Sequence, residues 1–335
     1  MTSSLGLTHA SLLTLSPQTW FEASELAVSC GYDSVWTAET TGAEAFATLS
    51  SLGRFGLGLG TGVLALQLRT PMLAVMGAAT LQALYPDQEV ILGVGISSPT
   101  VVGRWHGAEY SARPLAQVRE YLQLVRLILN EPVVNFSGEF YHCQSFRLGV
   151  RLQRQPKVVL GALNPRMLQL GGEIADGVLL NYLPSSHVER CITHIHAGEQ
   201  VAGRAPGSCE VFAYVHAGVG DLDYARPYAQ RDLFSYAVVD SYARAFTAAG
   251  FGEEVTQIRN AHQAKDRDAA LASVSDEMIN QIDHIGDAPS VAEFMNRYRS
   301  AGVHRPVLMP LPWAQDRSTA LRATIEAAAI PHESR

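Results

Sequence analysis

The chain alternates short apolar runs with longer segments of helical spacing. The first run, 5–9, is followed by Ser16-Pro17, a capping hydroxyl before a proline at the first helical position. The helix this predicts continues through Trp20, Leu26 and Val28 and stops before Gly31. Further runs lie at 33–37, 55–60, 90–95, 157–161, 176–181, 210–216 and 305–310. Several are apolar throughout, as strands covered on both faces should be. Helical segments are predicted over 71–84, 113–129, 184–201 and 316–328, and from Asn164-Pro165 to Leu170. Within 113–129, Leu115, Val118, Leu122, Val125 and Leu129 form one stripe. Eight strands alternating with helices fit a closed (β/α)8 barrel or an open doubly wound sheet. The count of eight and the final strand and helix at the C-terminus favour the barrel, the TIM fold of the α/β class.

The spacing breaks twice. Residues 131–150 predict a small hairpin, and 217–304 predict extra helices inserted before the last strand, punctuated by Gly250, Gly252 and Gly286. No Pro, Gly and Ser linker divides the chain, so 1–335 reads as one elaborated barrel domain with these two insertions.

Composition narrows the function. At 47% hydrophobic and 17% charged, 335 residues can build a large core. A net charge of −7 argues against a nucleic-acid or anionic-membrane binder. No apolar run is long enough to span a bilayer and no basic segment precedes the first one, which predicts a soluble cytoplasmic protein. Cys30, Cys143, Cys191 and Cys209 are too scattered for a disulfide framework or a zinc site. Lys157 and Lys265 are the only lysines among 25 basic residues, so an anion must be held by arginine or by backbone.

A barrel of this type carries its site at the C-terminal ends of its strands. Those ends present His9, Glu39 with Thr40, Thr61-Gly62-Val63, Gly95 with Ser97 and Ser98, Gly161 to Asn164, Asn181, His216 and Pro312-Trp313. The set holds no carboxylate or histidine cluster at ligand spacing, so no metal is expected. His194 and His196, two apart on a helix, do not share a face. It holds no nucleophile elbow either. Chemistry carried by an organic cofactor fits best. His9 is a candidate acid or base, or a hydrogen-bonded wall residue. The helix start at Asn164-Pro165 offers free N–H groups to an anion. Ser97 and Ser98 add hydroxyls and N–H groups there, or form a plain turn. Arg166 is placed to reach an anion, or is a solvated helix residue.

Five segments carry a resemblance. Gly31-Tyr32-Asp33-Ser34-Val35-Trp36 is similar to the opening of the luciferase-like monooxygenase superfamily. Leu59-Gly60-Thr61-Gly62-Val63 with Arg69-Thr70-Pro71, the strand 90–95, the block from Leu160-Gly161-Ala162-Leu163-Asn164-Pro165 to Ala175-Asp176-Gly177-Val178, and Ala301-Gly302-Val303 resemble its later motifs, in order. The likeness spans roughly 5–185 and 285–325, and is nearest the branch that uses the deazaflavin coenzyme F420.

The resemblance implies a bacterial-luciferase-like barrel with a non-prolyl cis peptide at Gly62–Val63, where a bulge supports the flavin ring. It implies cofactor contacts at Thr61, Gly62, Val63, Gly95, Ser97, Ser98, Gly161, Ala162, Leu163, Asn164, Arg166 and Asn181. Glu39 would contact the coenzyme or protonate product, its alternative being a salt bridge to an arginine. The family histidine that follows such an acidic residue is replaced here by Thr40, so it is not carried over. The implied reaction is hydride transfer between deazaflavin C5 and an unidentified small organic substrate. The alternative is an FMN-dependent monooxygenase served by a partner flavin reductase. A homodimer is implied by the resemblance alone.

Overall fold

The protein is described by a computed structural model covering residues 4–330. Eight parallel strands form its centre: β1 (Gly6–Thr8), β2 (Ser34–Thr37), β3 (Gly58–Thr61), β4 (Val90–Gly95), β5 (Lys157–Gly161), β6 (Gly177–Leu180), β7 (Glu210–Val219) and β8 (Arg305–Pro310). Each pairs with its sequence neighbour, and β1 closes on β8 through Gly6↔Val307 and Leu7↔Leu308. This is the closed (β/α)8 barrel that the strand count predicts.

Strand parity sorts the side chains. Trp36, Ile91, Val159, Leu179, Phe212, Tyr214 and Val307 point inward and pack together, with the Trp36 and Phe212 rings 5.3 Å apart. The alternate residues, such as Val35, Leu59, Leu92, Val158 and Val178, pack against the surrounding helices. The N-terminal end of the barrel is closed by charge. Glu89 meets Lys157 at 3.0 Å and also pairs with Arg305, while Lys157 reaches Glu210 at 2.6 Å. Lys157 is therefore occupied at the end opposite the expected site.

Helix starts follow their capping chemistry. The Thr70 hydroxyl accepts the Leu73 N–H ahead of Pro71–Leu84, and Asp316 caps Arg317–Ala328. The 184–201 segment is a turn at Ser185–His187 followed by the helix Val188–Val201. One helix, Ala45–Leu52, has no counterpart in the sequence reading; its eight residues are too few to show a clear period.

The hairpin pairs Val134–Ser137 with His142–Phe146. The long insertion contains helices Leu222–Ala237, Asp240–Ala248, Gly252–Gln263, Arg267–Ala272, Asp276–Ile282 and Ala288–Ser300. These helices also enclose an unpredicted strand, Asp283–Gly286, which pairs with the upper half of β7 in the register His216↔Asp283. Its sequence, Asp-His-Ile-Gly, has weak strand propensity. No helix among the described residues is long and apolar enough to cross a membrane.

Candidate active site

A cavity of about 860 Å³ opens at the C-terminal ends of β3 to β6. Gly62, Val63, Gly95, Gly161, Ala162, Leu163, Asn164, Arg166 and Asn181 all line it. Eight of these come from the set read at the strand ends, and Arg166 from the helix start beside it. The floor is shaped around Val63. The Gly62–Val63 peptide is cis. A side chain on Gly62 would run into the Tyr214 hydroxyl, since a Cβ there would lie 2.0 Å from it. Gly95 and Gly161 leave room for the Val63 methyl groups, which would stand 2.7 and 3.1 Å from a Cβ on either. An apolar platform centred on Val63 results, able to back a planar ring.

Cations and polar groups rim this floor. The helix Pro165–Ile174 begins at the cavity, with Arg166 in its first turn. Arg113 lines a second side, held by Glu139 at 2.6 and 2.7 Å. Arg244 comes from the inserted helix Asp240–Ala248, as do Ser241 and Tyr242. That helix is tethered to the barrel by Asn164, whose amide donates to the Ser241 carbonyl at 3.2 Å. Sequence reading missed Arg244 and Arg113, whereas Tyr242 stands in an aromatic series at helical spacing (Tyr228, Phe234, Tyr236, Tyr242, Phe246) that reads as core or interface, or as a pocket wall.

The other sequence candidates lie elsewhere. Thr61 uses its hydroxyl on Gly93, donating to the carbonyl and accepting the N–H, both at 2.8 Å. Ser97 and Ser98 do not reach the cavity. The Ser98 hydroxyl accepts the Val101 N–H at 3.2 Å and starts the turn Thr100–Trp105. His9 follows the inward Thr8, so its parity turns it out of the barrel toward the first helix. There Nε2 lies 3.1 Å from both the Trp20 carbonyl and the Ser24 hydroxyl. Burial lowers its pKa to about 4, partly offset by hydrogen bonds to backbone. A buried neutral imidazole outside the cavity is a wall residue.

Glu39 receives two hydrogen bonds from Arg69, at 2.9 and 2.7 Å. Burial acts to raise its pKa, but Arg69 outweighs burial and holds the carboxylate below its ordinary range. Arg69 belongs to the motifs that carry the resemblance, yet neither residue lines the cavity. The Thr40 carbonyl is bound to the His106 ring at 2.6 Å.

One polar cluster lies beside the cavity. The register His216↔Asp283 brings two fully buried side chains together, with Nδ1 3.2 Å from Oδ1. His216, Asp232 and Asp283 place atoms within 4.8 Å of one another. On its other side the ring meets Asn181, Nε2 to Oδ1 2.8 Å. Tyr182 donates its hydroxyl to Asp232 at 2.8 Å and packs, tilted, against the rings of His216 and Tyr236. Burial pushes both carboxyls well above the ordinary range, and Asp232 is raised further by the charge of Asp283. Burial lowers His216 to about 4.

The native state therefore holds protons on carboxyls that release them at an ordinary pKa once unfolded. The stability this lends is present at low pH and is lost as pH rises through the raised folded-state values. Asp283→Asn has no such proton to lose. Its stability relative to the wild type is expected to increase between about pH 4 and pH 8, measured by urea unfolding. A difference that stays constant over this range would contradict the assignment.

An eight-stranded parallel barrel with a cavity at the C-terminal strand ends defines a TIM-barrel enzyme site. The chain belongs to the luciferase-like monooxygenase family, an oxidoreductase family whose model matches residues 6–305. It is 27% identical over 292 residues to the 5,10-methylenetetrahydromethanopterin reductase of Archaeoglobus fulgidus, covering 84% of this chain and 86% of that one. The coenzyme F420 dependent tetrahydromethanopterin reductase from Methanopyrus kandleri has a similar structure, with a TM-score of 0.80, 22% identity and 98% of each chain covered. An F420-dependent secondary alcohol dehydrogenase, solved in complex with an F420-acetone adduct, gives 0.79 at 19% identity with 99% of each chain covered.

Proposed function

We propose that the protein is a coenzyme F420-dependent oxidoreductase acting on a small organic molecule. The observation that carries this reading is the pairing of the Val63 platform with three arginines on three separate elements. One phosphate would need fewer cations. Arg166 and Arg244 form no ion pair among the described residues, and they suit a coenzyme that bears a phosphate and further carboxylates. The F420 dependence of the two structural neighbours agrees with it.

When bound, the deazaflavin supplies a carbon, C5, that gives or takes hydride. The chain's own residues bind and orient. Val63 backs the ring, the start of the helix Pro165–Ile174 and the arginines hold anionic groups, and Asn181 and Tyr242 supply polar contacts. The inserted helix Asp240–Ala248 covers one side and excludes water from the reacting atoms.

Titration of the purified protein with F420 and, separately, with FMN tests the reading. F420 is expected to bind at least about tenfold more tightly, a difference of roughly 1.4 kcal/mol. Tighter binding of FMN would overturn the reading in favour of a flavin monooxygenase on the same barrel.

A further inference from the structure

The cluster beside the cavity poses a problem of donors. Both carboxyl oxygens of Asp283 are buried without a hydrogen-bond donor, and Nδ1 of His216 is likewise without a partner. These groups nevertheless face each other at 3.2 Å. Two acceptors held at that distance require a hydrogen between them. The neighbouring elements supply no cation to replace it. The titratable groups facing the cluster are Tyr182 after β6, Asp232 and Tyr236 from Leu222–Ala237, Tyr242 from Asp240–Ala248 and Tyr298 from Ala288–Ser300. Tyr182 and Tyr298 are buried, the other three are half-buried, and none is basic.

We propose that His216, Asp283 and Asp232 are positioning residues, and that the proton they hold sets which end of the Asn181 amide faces the ligand in the cavity. Two states follow from the hydrogen-bond inventory. With the proton on Asp283, its O–H donates to Nδ1 of His216. The ring then carries its hydrogen on Nε2 and donates to Oδ1 of Asn181, leaving the Asn181 N–H groups for the cavity. When Asp283 loses that proton to solvent, the carboxylate demands a donor. The ring hydrogen moves from Nε2 to Nδ1, and Nε2 becomes an acceptor. Asn181 must turn its amide to donate to it, and now presents Oδ1 to the cavity. One proton leaves in the exchange, and the imidazole stays neutral in both states.

The surroundings favour a switch over a fixed pair. Asp232 stands close enough that its charge opposes a second charge on Asp283, and the Tyr182 hydroxyl stabilises that charge on Asp232. Burial raises both carboxyls toward neutrality and disfavours an imidazolium. Tyr182 has a left-handed backbone, φ 51°, and follows Asn181 directly. Successive residues thus serve the two compartments, Asn181 the cavity and Tyr182 the cluster.

Nitrogen-15 NMR of histidine-labelled, ligand-free protein tests this without any coenzyme. The His216 ring is expected to change tautomer, without becoming charged, between about pH 5 and pH 9. Asp283→Asn should abolish that change while leaving the other histidines in place, which also assigns the signal. A His216 ring that keeps one tautomer across the range, or that becomes an imidazolium, overturns the proposal. So does stoichiometric divalent metal in the protein as purified, because the cluster would then hold a cation where the proton is placed. Should Asp283→Asn fail to fold, Asp232→Asn serves: it is expected to move the midpoint, and an unmoved midpoint counts against the coupling.

A second measurement rests on the redox reading of the cavity. The F420 dissociation constant of the wild type is expected to change about tenfold across the tautomer midpoint, as one hydrogen bond is won or lost. In Asp283→Asn it should be flat with pH, and Asp283→Glu should restore the slope. A pH-dependent constant that is identical in Asp283→Asn overturns the positioning role. A wild type that binds no F420 overturns the coenzyme reading alone, and the ligand-free spectra still decide the cluster.

Discussion

Gly93→Ala is expected to destabilise the protein by about 3 kcal/mol or more, beyond the usual range for overpacking. A Cβ at Gly93 would lie 1.8 Å from the carbonyl oxygen of Thr61. That oxygen is main chain inside a closed barrel, so it has no rotamer through which to escape. Relief would require β3 and β4 to separate. They are joined at this level by the Thr61 hydroxyl, which bonds both backbone groups of Gly93. The same displacement would carry the Gly62–Val63 platform with it, so coenzyme affinity should fall along with stability. Thermal unfolding followed by circular dichroism, with F420 titration on the folded fraction, measures both. A melting temperature close to that of the wild type would show that the barrel yields more easily than its geometry allows.

The double charge reversal Arg166→Glu, Arg244→Glu is expected to raise the F420 dissociation constant by about a hundredfold or more. Each charge-assisted hydrogen bond lost is worth roughly 1.5–3 kcal/mol, and each new carboxylate adds repulsion. The loss should shrink as salt is added. Both side chains are exposed, so the melting temperature should hold. Arg113→Glu should cost less, because Glu139 already holds that guanidinium. Fluorescence titration at two ionic strengths checks these points. An affinity unchanged by the double variant would remove the arginines from the account of binding.

Much of this architecture can be read from local chemistry. The eight runs mark the strands because strands buried on both faces are apolar along their length. Pro71–Leu84 follows from Thr70 and Pro71, which carry the start signal in adjacent residues. The cavity floor is legible for the same reason: Gly62 and Val63 come just after β3, Gly95 and Gly161 end β4 and β5, and the fold type says which end matters. His9 and Glu39 show the limit. Both lie at the correct end, but parity turns His9 away and Arg69, thirty positions along, engages Glu39. Parity was available from the inward Thr8, whereas the Arg69 partnership depends on tertiary packing. The cluster was further from view. Asp283 meets His216 through a short strand of weak propensity 67 positions later in the chain, a register that no local pattern encodes. A single polar residue such as His216 within an otherwise apolar run is the one trace it leaves.

The Asn164–Ser241 tether has a consequence for how this enzyme can diversify. The platform and the helix start that would hold the coenzyme belong to the barrel, while Tyr242 and Arg244 arrive on the insertion. The two sides of the cavity are thus written in different stretches of the gene. The two stretches meet where an asparagine amide holds a main-chain carbonyl, a contact that is indifferent to the side chain at position 241. Drift in the inserted helix can reshape one wall, Arg244 included, while the Val63 platform on the barrel is inherited intact.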